Sequence, residues 1–163
     1  MTASVRQYLT FVLGNESFGI AISSVKEIIE HRLPTEVPMM PAFVRGVINL
    51  RGRVVPVIDL QVRFGRAASQ ASRRSCIVIV EIGERGQSQD VGVLVDSVSA
   101  VLEIGEADIE PPPSFGTRLR KDFVTGMGRL GDGFVIVLDI DRVLCLSELA
   151  QLGELEAQCE TPA

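Results

Sequence analysis

Short apolar runs separated by glycine, proline and polar turns set the rhythm of this chain. Residues 43–60, FVRGVINLRGRVVPVIDL, hold the clearest pair. Val47, Ile48 and Leu50 form one run, and Val54, Val55, Val57, Ile58 and Leu60 the other, with Arg51, Gly52 and Arg53 between them. Branched residues suit a pleated strand, and glycine takes positive φ without steric cost, so the stretch predicts a hairpin pivoting on Gly52. Pro56 removes a backbone donor, which places it on an edge strand or at a bulge. Asp59 is expected to cap a helical turn over residues 60–64 that Gly65 closes.

The same reading predicts strands over residues 7–13, 17–22, 27–33, 76–82, 91–95, 99–104, 122–130 and 133–140. Gly14 and Asn15 turn the first pair into a hairpin, and Ser23 is the expected cap of a short turn through Val25 and Lys26. Residues 76–82 are apolar at almost every position, as in a strand buried on both faces. Asp96 and Ser97 separate the fifth and sixth runs. Pro34, Pro38 and Pro41 stiffen one connector and Pro111, Pro112 and Pro113 a second, which leads to Phe115. Met39 and Met40, in the first connector, are core filler or exposed contact residues. Residues 66–75 (RAASQASRRS) read as a flexible surface loop and residues 83–90 as a polar turn. Residues 1–5 read as a frayed start. Residues 147–158 predict a helix with Leu149, Leu152 and Leu155 on one face, weakened by Gly153.

The chain repeats itself. Residues 43–60 align without gaps on 123–140, with Phe43, Val44, Gly46, Leu50, Val55, Val57 and Asp59 meeting Phe123, Val124, Gly126, Leu130, Val135, Val137 and Asp139. Residues 18–29 align on 91–102, where Gly19, Ser24 and Val25 meet Gly92, Ser97 and Val98. Two similar β-units of about five strands follow, expected as small barrels because closure limits exposed edges. Shared residues are fold requirements. Where the first unit carries Asn49, Arg51 and Arg53, the second carries Arg129, Gly131 and Gly133, which marks Arg51 for function.

Composition narrows the class. At 163 residues with 46% apolar residues, the chain has ample material for a packed interior. A net charge of −5 argues against a general nucleic-acid surface. All 16 basic residues except Lys26 and Lys121 are arginine, which reads as genomic composition. Cys76, Cys145 and Cys159 lack metal-ligand spacing and suit a reducing compartment, with Cys76 and Cys145 as small core residues. No apolar run approaches the ~20 residues of a spanning helix and no leader pattern opens the chain, so the protein is expected to be soluble unless a partner holds it at a membrane.

Little here suggests catalysis. Asp59 and Asp139 superficially resemble a pseudo-symmetric carboxylate dyad, which would make an acid hydrolase only if the two shared a proton; each reads instead as a helix cap. His31 is the single histidine and lacks ligand or triad partners. The glycines between Gly126 and Gly133 fit hairpin turns better than a phosphate cradle. A barrel binding a small molecule would need a polar cavity, whereas the strands read as filled with Val, Ile and Leu. Surface binding remains. Val25 and Ile28 are apolar, and Glu27 and Arg51 carry opposite charges on segments that could meet in a small barrel; these residues alone divide evenly between structure and binding.

Four blocks, FVLGNESFGIAISSVKEII, AFVRGVINLRGRVVPVIDL, DVGVLVDSVSAVL and FVTGMGRL, resemble the CheW family of chemotaxis coupling proteins over about residues 8–149. The GVINLRG block with its VPVIDL continuation is the specific part. The resemblance implies a mainly β fold of two intertwined five-stranded SH3-like β-barrels with short helices and a C-terminal helix. The expected layout is one domain over residues 1–163, with barrels centred on about 17–75 and 76–146. It implies a non-catalytic adaptor, without cofactor or metal, that links the cytoplasmic tips of methyl-accepting chemoreceptors to the regulatory domain of the histidine kinase CheA. Further copies in rings are possible partners; nucleic acid and direct membrane insertion are not expected. Matching positions for receptor contact are Val25, Glu27, Ile28, Arg45, Gly46, Arg51 and Val101. Those for kinase contact are Leu33, Thr35, Val37 and Phe115, the last as an aromatic anchor or by local packing. The chain carries neither a receiver nor a kinase segment, so a stand-alone cytoplasmic coupler, recruited to receptor arrays at the inner face of the membrane, is expected.

Overall fold

The computed structural model describes residues 5–14, 16–64, 72–83, 89–111, 124–131 and 133–144. Eleven strands carry the described chain: β1 (Val5–Leu13), β2 (Glu16–Ala21), β3 (Val25–Glu30), β4 (Val44–Leu50), β5 (Arg53–Asp59), β6 (Cys76–Ile82), β7 (Gln89–Val95), β8 (Ser97–Gly105), β9 (Ile109–Glu110), β10 (Val124–Leu130) and β11 (Gly133–Leu138). Two one-turn helices, α1 (Leu60–Arg63) and α2 (Ile140–Val143), follow β5 and β11. The fold is mainly β, in two mixed sheets, as the pattern predicted.

One sheet runs β3-β6-β7-β5-β4 and the other β8-β1-β2-β11-β10-β9. Placing β6, β7, β8, β10 and β11 against β1, β2, β3, β4 and β5 turns the first order into the second, so the sheets are copies of one plan. Each unit lends its first hairpin to the other: β1-β2 lie in the sheet of β8–β11, and β6-β7 in the sheet of β3–β5. Even register repeats. Val57 pairs in parallel with Gly92, and Val137 with Gly19. Val25 faces Val80 as Val98 faces Phe11, each pair beside a bulge. The sequence halves therefore misassign the hairpins. β6 and β7, expected in the second unit, pair with strands of the first, and β2 does the reverse.

This exchange explains strands that are apolar on both faces. Ile77, Ile79 and Leu94 join Ile48, Leu50, Val55 and Val57 inside the first sheet. Alternate residues Val78, Val80, Ile82, Val91, Val93 and Val95 face the shared core, where they meet Leu9, Phe11, Leu13, Phe18 and Ile20 of the other lent hairpin. Phe18 sits there between Phe11 and Phe64, with ring centroids 6.1 and 5.7 Å away. A smaller set, Tyr8, Ile104 and Val137, fills the second sheet. Burial of each large side chain contributes about 1.5–3 kcal/mol.

The first sheet closes through the chain that follows β3. Thr35 exchanges two backbone hydrogen bonds with Val47 on β4, at 2.8 and 2.9 Å, joining one edge to the other. Gly46 makes that approach possible: at φ 144 a Cβ would stand 2.3 Å from the Thr35 carbonyl oxygen. The second sheet uses β9 at the corresponding place, pairing Glu110 with Met127 and Ile109 with Gly128.

Several local expectations are corrected. β5 is an inner strand, between β7 and β4. Pro56 is tolerated because it falls one residue before the pairing with β7 begins at Val57. Ser23 caps nothing; it lies within a 3-10 turn over Ile22–Ser24 preceded by Ala21, and β3 starts at Val25. β3 ends at Glu30 rather than residue 33, ahead of Pro34. Only Asp96 separates β7 from β8; its backbone N–H donates to Val12 O and its carboxylate accepts from Gly14 N at 2.7 Å. Of the paired methionines, Met39 is exposed and Met40 packs against the shared core. The expected C-terminal helix, Phe115, Gly65, Cys145 and most of the 66–75 loop lie outside the described residues.

Candidate functional site

The β4-β5 hairpin turns on two residues. Leu50 and Arg53 are the last pair, leaving Arg51 at φ 52 and Gly52 at φ 82 in the loop. Two positive φ values in succession make a type I′ turn, whose twist matches the strands. Asn49 Oδ1 accepts from Gly52 N at 2.8 Å and fixes it. Glycine suits this backbone and arginine does not, since the left-handed region costs an ordinary residue about 1–2 kcal/mol. The second unit has Gly131 at the same turn position, at φ 58. A non-glycine residue held there marks a functional candidate.

Arg51 reaches across the mouth of the first sheet. Its Nη2 donates to Glu27 Oε1 at 2.5 Å. Around this pair, Lys26 Nζ binds Asp90 at 3.0 Å and stands 3.8 Å from Glu81, and Arg53 Nη1 lies 3.5 Å from Asp90. Three cations and three carboxylates thus balance at one end of the strands, over the apolar interior set by Leu50, Val55 and Ile79. The Arg51 side chain is 75% exposed, so its ion pair is screened and contributes at most about 1 kcal/mol to stability. The cavity here is about 90 Å³, well below the ~300 Å³ at which small-molecule pockets begin. At that size the mouth is smaller than an ordinary small-molecule pocket, and it carries charge at its rim.

The remaining receptor-side candidates are dispersed. Val25, two residues before Glu27, is half-buried against the shared core. Ile28 on β3 is 43% exposed, and Val101 on β8, at the equivalent position of the other unit, is 49% exposed. Arg45 and Gly46 sit near the opposite end of β4 from Arg51, roughly 16 Å of strand away. Arg45 Nη1 lies 3.4 Å from the buried carboxylate of Asp59, and Gly46 serves the Thr35 closure, so both have fold roles. Of the kinase-side candidates, Leu33 is 88% exposed, Thr35 has its backbone bonded to Val47 and its side chain exposed, and Val37 is half-buried. Phe115 lies outside the described residues.

Sequence reasoning overlooked Lys26, Glu81 and Asp90, which come from different strands; Arg53 stood with Arg51 among the unshared turn residues but was not singled out. Also overlooked were Val54 and Phe134, exposed apolar residues at matching positions of β5 and β11. A signal existed for Val54: beside Val55 it cannot share the inward face of a strand.

The aspartate pair offers no dyad chemistry. Asp59 Oδ1 accepts from Gln61 N at 3.0 Å and its Oδ2 faces Arg45; Asp139 accepts from Arg142 N and faces Arg142 Nε at 3.5 Å. Each carboxylate is occupied by its own helix and its own arginine. Among the described residues no cluster of three or more His, Cys, Asp or Glu has metal-binding geometry. No described helix is long and apolar enough to cross a membrane.

Comparison with known proteins converges. The family described as CheW-like domain matches residues 7–148. The chain is 37% identical over 145 residues to the chemotaxis protein CheW of Klebsiella aerogenes, covering 89% of this chain and 85% of that one. It is 33% identical to the chemotaxis protein CheW of Treponema pallidum, covering 91% and 88%. The crystal structure of the scaffolding protein TtCheW from Thermoanaerobacter tengcongensis superposes with a TM-score of 0.74 at 38% identity, covering 83% of this chain and 90% of that one.

Proposed function

The chain belongs to the CheW family of chemotaxis proteins, and from that premise we propose that it couples chemoreceptors to the kinase CheA as a non-catalytic scaffold. Receptors contribute their cytoplasmic tips and the kinase its regulatory domain, so the protein works in the cytoplasm at receptor arrays. The observation that carries this reading is Arg51. A charged side chain kept in left-handed backbone, where the sister turn uses glycine, favours a contact residue over a structural one. Glu27 orients its guanidinium, and Ile28 and Val101 add exposed apolar surface on the two edge strands. Val25 supports β3 from beneath. Leu33, Thr35 and Val37 supply one kinase-facing segment and Phe115 a second. Weak interfaces of this kind suffice in an array, because linked contacts raise effective concentration.

Arg51→His and Val101→Met test the assignment in a reconstituted mixture of receptor, kinase and this protein. Both variants are expected to melt as the wild type does and to lose receptor-dependent kinase activation. Normal activation by both would overturn the assigned surface.

A further inference from the structure

The two units differ at one more matched position. Arg45 on β4 and Thr125 on β10 align, and each is the residue that its strand's register skips, between Val44 and Gly46 in one unit and between Val124 and Gly126 in the other. A bulge re-aims the side chain it carries, so equivalent bulges give both residues the same outlet. The capping aspartates match as well, with Asp59 at φ −94 and ψ 105 and Asp139 at φ −88 and ψ 96. In the first unit the Arg45 guanidinium lies 3.4 Å from the buried Asp59 carboxylate. In the second, threonine is too short to make that contact. A hollow of about 150 Å³ stands there, lined by both Thr125 and Asp139. It is the seat of an arginine without the arginine.

The lining suits a planar cation. Asp139 and Asp141 both contribute to it. Asp139 is 39% exposed, and its contact with Arg142 Nε is a long 3.5 Å; Asp141 Oδ1 accepts from Gly83 N at 3.2 Å. A carboxylate accepts about four hydrogen bonds, so each keeps capacity for a further donor. Arg6 is the one cation in the lining, outnumbered by the two aspartates and in no ion pair with either. Buried Tyr8 and Val137 form an apolar floor. A guanidinium matches this setting, since its rigid fork pairs with carboxylate and its flat face stacks on aromatic rings. At ~30 Å³ per water the hollow holds about five waters, enough for the head of one such group and part of its stem. It is too small for a drug-sized ligand.

We propose that this hollow is a binding site for a guanidinium group, which sits against Asp139 as Arg45 sits against Asp59. None of its lining residues belongs to the surfaces assigned to receptor or kinase. An arginine side chain of a partner protein and a free guanidinium compound share this chemistry, and experiment separates the two sources.

Amide NMR spectra of the isotope-labelled full chain, titrated with N-methylguanidinium, test the site. The amides of Thr125, Asp139 and Ile140 are expected to shift and to saturate at millimolar concentration. N-methylurea has the same planar shape without the charge and should leave them in place. Asp139→Asn keeps a capping side chain but removes the charge, and should weaken binding about tenfold as a charge-assisted hydrogen bond becomes a neutral one. Thr125→Arg fills the seat from within; it should abolish binding and keep or raise the melting temperature. Arg6→Ala should bind at least as tightly as the wild type. Agmatine and a capped glycine-arginine-glycine peptide then separate the sources: tighter binding of the peptide supports a partner's side chain, and tighter binding of agmatine a free compound. Absence of saturable shifts, an equal response to N-methylurea, or undiminished binding by Asp139→Asn or Thr125→Arg would overturn the proposal. Binding confined to Arg6→Ala would overturn it too, by making Arg6 the occupant. The measurement uses neither receptor nor kinase, so its failure leaves the coupling reading standing.

Discussion

Replacing Arg51 by asparagine separates the fold from the site. Asparagine followed by glycine is the preferred pair for a type I′ turn, and this hairpin already has Gly52 in place. The substitution relieves part of the ~1–2 kcal/mol that a non-glycine residue spends in left-handed backbone. It removes the Arg51–Glu27 ion pair, worth about 0–1 kcal/mol at this exposure. Arg51→Asn is therefore expected to leave stability unchanged or raise it by up to about 1 kcal/mol, which in a chain of this size is a rise of about 2–4 °C in melting temperature. Receptor-dependent kinase activation should fall at the same time. The reciprocal variant, Gly131→Arg, places an ordinary residue at φ 58 in the sister turn and should cost about 1–2 kcal/mol. Thermal melts and denaturant titrations of both proteins provide the numbers. A fall of several degrees in Arg51→Asn would refute the reasoning, because it would make the ion pair a keystone of the barrel mouth.

Three further outcomes follow from the packing. Gly46→Ala meets the Thr35 carbonyl oxygen at 2.3 Å in a backbone that disfavours side chains, so its denaturant midpoint should drop sharply, by more than the roughly 1 kcal/mol typical of point variants. Phe18→Ala empties the stack between Phe11 and Phe64 in the core shared by both sheets, and should cost about 3–5 kcal/mol in urea titration. Asp59→Ala and Asp139→Ala remove the same cap from equivalent helices; equal losses would contradict the burial argument, because Asp59 is fully buried against Arg45 whereas Asp139 is partly exposed. Asp59→Ala should cost about 2 kcal/mol or more, and Asp139→Ala no more than about 1 kcal/mol.

What could be read before folding was local. The caps at Asp59 and Asp139 and the hairpin at Gly52 depend on neighbours a few residues away, and all stand where the pattern put them. The hairpin exchange was not legible, for a physical reason. Val57 beside Gly92 and Val137 beside Gly19 are the same pairing made twice, so two similar units offer each hairpin two equally suitable seats. Likeness between segments does not say which copy pairs with which. Arg51 emerged because the repeat supplied a sister turn lacking it, although only φ 52 revealed what the position costs. The association of Lys26, Arg53 and Asp90 stayed hidden, since it depends on how β3, β5 and β7 surround one opening. The role of Gly46 was half visible: its repetition at Gly126 marked a fold requirement, and the clash with Thr35 supplies the reason.

The most direct test of the coupling role is kinase activity measured on receptor-containing vesicles, with and without this protein, at fixed receptor and kinase. Kinase activity that rises only when the protein is present, and that falls again on adding attractant, is the predicted result. Activity that is the same in its absence would contradict the account.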